Sequence, residues 1–109
     1  MTGWVLLTFA IAAEVVGTTA LRASNGLTRA VPIGITTVAY IASFALLALT
    51  LKHLSLGTTY AIWSGVGTVV IVFIGRLVYH EVISLATAAG IVLVIAGVVV
   101  IHVGGGVTR

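Results

Sequence analysis

The chain is built from four long apolar stretches that are separated by short polar breaks. The stretches cover residues 4–21, 31–51, 58–78 and 85–103. The breaks contain Ser24-Asn25-Gly26, Lys52-His53, His80-Glu81 and Gly104-Gly105-Gly106, which are turn-forming or polar. Each stretch has about 20 residues, enough for a helix that crosses the hydrocarbon core of a bilayer. Since hydrocarbon offers the backbone no hydrogen-bond partners, such stretches must be helical. We predict an all-α membrane protein in which residues 1–109 form a single transmembrane domain of four helices.

The composition agrees with this pattern and excludes several kinds of chemistry. Hydrophobic residues make up 61% of the chain, charged residues make up 6%, and the mean hydropathy is +1.32, outside the range of water-soluble domains. The chain has no cysteine, which excludes disulfides, thiolate metal sites and a cysteine nucleophile. His53, His80 and His102 lack the spacing of metal ligands. No phosphate loop or nucleophile elbow is present, so we expect no enzyme activity, no metal and no cofactor.

The basic residues are dispersed along the chain, which argues against a nucleic-acid surface. Arg22, Arg29 and Arg76 belong with the first and third connections, whereas Lys52 and Arg109 belong with the second connection and a terminus. A ratio of three to two is a weak signal for orientation in the membrane. The pattern leaves two alternatives: insertion in both orientations, or cytoplasmic placement of the first connection by its two arginines.

Glu14 is the acidic residue that falls inside an apolar stretch, ten residues after Trp4 and close to the middle of the first predicted helix. An ionised carboxylate is costly at that depth, so such a residue faces a partner or a water-filled cavity and is a functional candidate by default. No basic residue lies at a similar depth. A proton and a cation thus become alternative ligands of Glu14. The other interpretation is a protonated acid that is hydrogen-bonded within the bundle.

Small and apolar residues surround Glu14 on its helical face at three- and four-residue spacing. The predicted substrate pocket includes Leu7, Ala10, Ile11, Gly17 and Thr18. This face could admit a bulky ligand or a neighbouring helix. Packing is the alternative role for Ala10 and Gly17, and it is favoured for Leu7.

Aromatic residues in the second and third stretches extend this prediction. Tyr60 and Trp63 share one helical face, and aromatic rings attract cations through their quadrupole. The alternative is an aromatic belt at the membrane surface. Tyr40, Ser43 and Phe44 are further candidates for the wall of the pocket.

Glycines and other small residues suggest two further features. Gly65 and Gly67 lie where the third helix could bend, although close packing explains them equally well. A second pattern of small and apolar residues recurs at helical spacing in the fourth stretch, at Ala86, Gly90, Leu93 and Gly97. The pattern predicts a stripe along which two copies of the fourth helix associate. Packing within the same chain is the alternative for this stripe.

Several motifs resemble those of the small multidrug resistance transporters, over nearly the whole chain. They are residues 13–19 (AEVVGTT), residues 26–29 (GLTR) followed by Pro32, and residues 60–67 (YAIWSGVG). Residues 90–98 look like the dimerisation motif of the family. The resemblance implies a four-helix protomer, an antiparallel homodimer in the bacterial inner (plasma) membrane, and exchange of protons against aromatic or quaternary cations at the two Glu14 carboxylates.

Within this family, Gly17-Thr18-Thr19 is similar to the multidrug subtype, since guanidinium exporters typically carry tryptophan at the position of Gly17. Arg22 replaces the usual lysine, and His80 stands where glycine is usual, near the membrane surfaces. The prediction is a proton-coupled antiporter that exports hydrophobic, aromatic or quaternary ammonium cations through a dimer-interface site built on Glu14. The alternatives are a guanidinium-type exporter of small cations and a non-transporting subunit of a membrane assembly.

Overall fold

A computed structural model describes residues 2–106, which form four α-helices and no strand. They are α1 (Thr2–Ala23), α2 (Ala30–Thr50), α3 (Leu56–Tyr79) and α4 (Leu85–Val103). All four are long and apolar enough to cross a membrane, which confirms the predicted fold class. α1 and α3 extend beyond the apolar stretches at both ends. Arg109, used above to assess orientation, lies outside the described residues.

The helices form two compact units: α1 with α2, up to His53, and α3 with α4, from Leu54 onward. The first unit is an antiparallel helical hairpin whose core on α1 is a stripe of small and apolar residues. The buried residues of this stripe are Gly3, Leu7, Ala10 and Gly17. Glu14 lies between Ala10 and Gly17, and with it included the stripe advances by alternating steps of four and three residues. Small residues on such a stripe let two helix backbones approach closely.

Two hydroxyl groups of α2 tie it to the backbone of α1. The Oγ of Ser43 donates a hydrogen bond of 2.8 Å to the carbonyl oxygen of Ala10, and the Oγ1 of Thr36 donates one of 3.1 Å to that of Gly17. Both side chains are buried. Hydrogen bonds between membrane helices contribute about 0.6 kcal/mol each, so these ties mainly set the register of the hairpin.

The second unit begins each of its helices with a serine cap. Ser55 accepts a hydrogen bond from the backbone N–H of Thr58, and Ser84 accepts one from that of Thr87. These caps satisfy N–H groups that have no partner within the helix. They place the starts of α3 and α4 at defined residues.

α3 is followed directly by His80, which adopts a left-handed conformation with φ of 57°. Its N–H and that of Glu81 both donate to the carbonyl oxygen of Gly75. The Glu81 side chain folds back over Gly75, where a Cβ atom would collide with its carboxylate. Glycine usually occupies the left-handed position after a helix; here a histidine occupies it.

Candidate cation site

Glu14 lies on the face of α1 that packs against α2. It continues the stripe of Leu7, Ala10 and Gly17, and its side chain is half-buried. Glu14 is twelve positions after the start of α1 at Thr2, which places it about 18 Å along the helix. The carboxylate is thus near the middle of a predicted membrane span, and the fold turns it toward the polar side chains of α2.

Two hydroxyl groups connect Glu14 to α2. The Oγ1 of Thr18, one turn further along α1, donates a hydrogen bond of 2.8 Å to Oε1 of Glu14. The same Oγ1 lies 2.7 Å from the phenol oxygen of Tyr40 on α2. Because the Thr18 hydroxyl has a single proton, its donation to Glu14 leaves Tyr40 as the donor to Thr18. The three groups form a hydrogen-bonded chain that runs from Tyr40 through Thr18 to the carboxylate.

Gly17 makes room for the ring of Tyr40. A Cβ atom at Gly17 would lie 2.5 Å from Cδ1 and 2.6 Å from Cε1 of that ring, closer than nonbonded atoms can approach. A side chain at position 17 and the observed position of Tyr40 therefore exclude each other. The contact explains why Tyr40 can approach Thr18 only when position 17 is glycine.

The other predicted pocket residues of this unit have different environments. Leu7 and Ala10 are 1% and 0% exposed, and Ser43 is fully buried with its hydroxyl bonded to Ala10, so all three are used in packing α1 against α2. Ile11 is half-buried. Phe44 is exposed, and its ring meets that of Tyr40 edge to face at 6.5 Å between centroids.

In the second unit, Tyr60 and Trp63 form an aromatic pair on one face of α3. Their ring centroids are 5.6 Å apart and the ring planes are tilted by 48°. Tyr60 is exposed, whereas Trp63 is half-buried. The pair presents the kind of aromatic surface over which a cation binds.

The glycines predicted to allow bending lie within an unbroken helix. α3 continues through Gly65 and Gly67. A Cβ at Gly65 would lie 2.9 Å from Cγ2 of Val98 and 3.4 Å from Cγ1 of Val94, so Gly65 allows close approach of α3 and α4. Their role in bending stays a prediction.

The predicted association stripe on α4 is open. Apart from its chain neighbours and the nearby backbone of α4, no described atom lies within 4 Å of a Cβ built at Gly90 or Gly97. Ala86 is exposed and Leu93 is 72% exposed. α3 instead meets α4 at Val94 and Val98. The stripe and the α3 contact thus occupy different faces of α4.

Thr36 and Thr59 are buried polar residues that the sequence analysis did not include among the predicted site residues. Thr36 precedes Tyr40 by four residues and Ser43 by seven, and this spacing on α2 signals one polar face. Thr59 precedes Trp63 by four residues on α3 in the same way. The spacing alone could have drawn attention to both.

Comparison with known protein families agrees with this architecture. The family model described as Small Multidrug Resistance protein matches residues 2–94. The chain belongs to the small multidrug resistance family. Members of this family with similar sequences include the multidrug resistance protein EbrB of Bacillus atrophaeus, which is 44% identical over 102 residues that cover 94% of this chain and 87% of the relative.

Two further members of the small multidrug resistance family come from Escherichia coli. The multidrug transporter EmrE of strain K12 is 42% identical over 102 residues, and the quaternary ammonium compound-resistance protein QacE is 37% identical over 102 residues. Each alignment covers 94% of this chain and 93% of the relative. These relatives are named as transporters or resistance proteins, and the chain is a multi-pass membrane protein of that family.

Proposed function

We propose that the protein is a proton-coupled antiporter that exports hydrophobic aromatic or quaternary ammonium cations across the bacterial inner membrane, with Glu14 as the group that binds either protons or substrate. The observation that carries the proposal is the chain from Tyr40 through Thr18 to Glu14 in the middle of a membrane span. Family membership and the names of EmrE and QacE support export of such cations.

The hydroxyl chain suits a carboxylate that changes its protonation state. An ionised Glu14 accepts a hydrogen bond from Thr18, and a protonated Glu14 can donate one to Thr18 if both hydroxyl protons rotate. Hydroxyl groups act as donors and acceptors, so the two hydrogen bonds of the chain can form in both states. Binding of a proton or a cation would then change the charge at the site with little movement of the side chains.

Charge explains why the two ligands would be exchanged rather than bound together. An ionised carboxylate at this depth is costly without a counter-charge, and either a proton or a cation removes that cost. A cation that binds must therefore displace the proton, and a proton that binds must release the cation. The Tyr60–Trp63 surface would favour aromatic and quaternary cations over simple metal ions.

We further propose that the functional form is an antiparallel homodimer. The open stripe of Ala86, Gly90, Leu93 and Gly97 supports association along α4. Two protomers would contribute two Glu14 carboxylates. A single chain of this size offers too little wall to enclose a drug-sized cation, which a second copy would supply.

Gly97→Leu is expected to weaken self-association, because the branched side chain would separate backbones that small residues allow to approach. Crosslinking in detergent measures the dimer content, and Gly90→Leu should lower it to a smaller extent. Val92→Leu is the control, because Val92 is exposed on α4 and lies outside this stripe. An unchanged dimer content in Gly97→Leu would argue against association along this stripe.

Transport by the purified full chain in liposomes tests the proposed function. We expect a proton gradient to drive uptake of tetraphenylphosphonium, and addition of that cation to the protein in detergent to release protons. A preference for guanidinium over aromatic cations would instead indicate a small-cation exporter. Failure to bind or transport any cation would indicate a subunit without transport activity of its own.

A further inference from the structure

Thr59 is a buried polar residue whose hydroxyl has no assigned use. It lies in the second turn of α3 and is 1% exposed. Among residues 2–106, its Oγ1 has no hydrogen-bond partner. A hydroxyl group that has lost its water without gaining a partner costs free energy until a partner is supplied.

Other hydroxyl groups in these helices have a hydrogen-bond acceptor within their own helix. Those of Thr8, Thr37, Thr50, Ser64 and Thr68 donate to the carbonyl oxygen four residues earlier in their own helix. Thr59 could in principle use the carbonyl of Ser55 in the same way, but that oxygen accepts only the N–H of Thr59 in this structure. The Thr59 hydroxyl therefore differs from these groups in having no partner within its own helix.

The position of Thr59 connects it to the aromatic pair. Thr59 lies four residues before Trp63 and directly before Tyr60, so Thr59 and Trp63 share a face of α3 one turn apart. The Tyr60 and Trp63 rings are in contact on that part of the helix. An aromatic cation seated against these rings would place its edge substituents within about one helical turn of the Thr59 hydroxyl.

We propose that Thr59 is a specificity residue that hydrogen-bonds a polar substituent of the transported cation. This inference rests on the proposed function. It narrows the substrate class to aromatic cations that carry an amino, hydroxyl or similar group. A site that contains a buried hydrogen-bonding group discriminates against ligands that leave this group without a partner. Purely hydrocarbon cations would make no hydrogen bond to Thr59.

Two cationic probes separate the role of the hydroxyl from general binding. Ethidium carries two primary aromatic amines, whereas tetraphenylphosphonium has no hydrogen-bonding group. Thr59→Val keeps the shape of the side chain and removes its hydroxyl; Thr59→Ser keeps the hydroxyl. We expect Thr59→Val to weaken ethidium binding about fivefold, the scale of one lost hydrogen bond, with tetraphenylphosphonium binding unchanged or tighter. Thr59→Ser should bind ethidium like the original protein.

Thr68→Val is the control on the same helix, since its hydroxyl already bonds the Ser64 carbonyl, and it should bind both probes normally. Equal binding of ethidium by Thr59→Val and the original protein would overturn the proposal. An equal loss for both probes would also overturn it, because it would indicate a packing role. If the original protein bound neither probe, the proposed function itself would be wrong and the role of Thr59 would fall with it.

Discussion

Glu14→Gln is expected to abolish cation binding and the proton release that accompanies it. Glutamine keeps the size of the side chain, and its amide oxygen can still accept the hydrogen bond from Thr18. It cannot neutralise a cation in the middle of a membrane, where an uncompensated charge costs about 3 kcal/mol or more. Affinity for tetraphenylphosphonium, measured by calorimetry in detergent, should fall by roughly 100-fold or more, while insertion and dimer content stay normal.

The chain offers a matched control for this substitution. It has two acidic residues, and the other, Glu81, lies in the connection between α3 and α4, outside the membrane spans. Glu81→Gln makes the same chemical change without touching the proposed site, so binding should be retained. Glu14→Asp keeps the charge, but its shorter side chain places the carboxylate farther from the Thr18 hydroxyl. We expect this variant to bind cations more weakly rather than not at all. Robust proton-driven transport by Glu14→Gln would contradict the proposed function.

Gly17→Leu is the second change for which we expect a large effect. Its side chain would occupy the space of the Tyr40 ring, which must move away and leave Thr18. Overpacking of this kind costs about 1–3 kcal/mol. The variant should unfold at lower denaturant concentration in detergent, followed by circular dichroism, and should bind cations more weakly, because the hydroxyl chain to Glu14 is broken.

Two further variants show whether the Tyr40 contact is the cause. Gly34→Leu, on α2, introduces the same side chain where no described atom beyond the nearby backbone of α2 lies within 4 Å of a built Cβ, so stability should be retained. Tyr40→Ala in the Gly17→Leu background removes the clash and should recover part of the lost stability, a coupling that a double-mutant cycle measures. Additive effects of the two substitutions would show that Gly17 and Tyr40 do not interact as described.

The features of the proposed site differ in how much of the structure must be known to predict them. The exceptional position of Glu14 follows from one carboxylate in an apolar stretch, and no packing information is needed to see it. The hydrogen bond from Thr18 depends on a four-residue step along a single helix. The Tyr40 contact depends on how two helices meet, and the sequence analysis placed Tyr40 in the pocket without linking it to Thr18.

Packing also separates residues that the sequence analysis had grouped. Leu7, Ala10 and Ser43 were predicted in one pocket with Glu14 because they share its face or a neighbouring helix. Two of them form the buried core of the α1–α2 hairpin, and the third ties its backbones together. Spacing along a helix identifies a face, but it does not reveal whether that face meets a ligand or another helix.

The sequence by itself determined the four membrane helices, the residues at which they break and the intramembrane carboxylate. Each of these follows from a local property: a backbone in hydrocarbon must form helix, polar and glycine-rich segments interrupt it, and a buried charge needs a partner. Only the tertiary structure decided that Tyr40 reaches Glu14 through Thr18, that Gly17 makes space for it, and that Gly90 and Gly97 stay open. Those outcomes depend on the rotation and register of packed helices, which small residues and two buried hydroxyl ties set together.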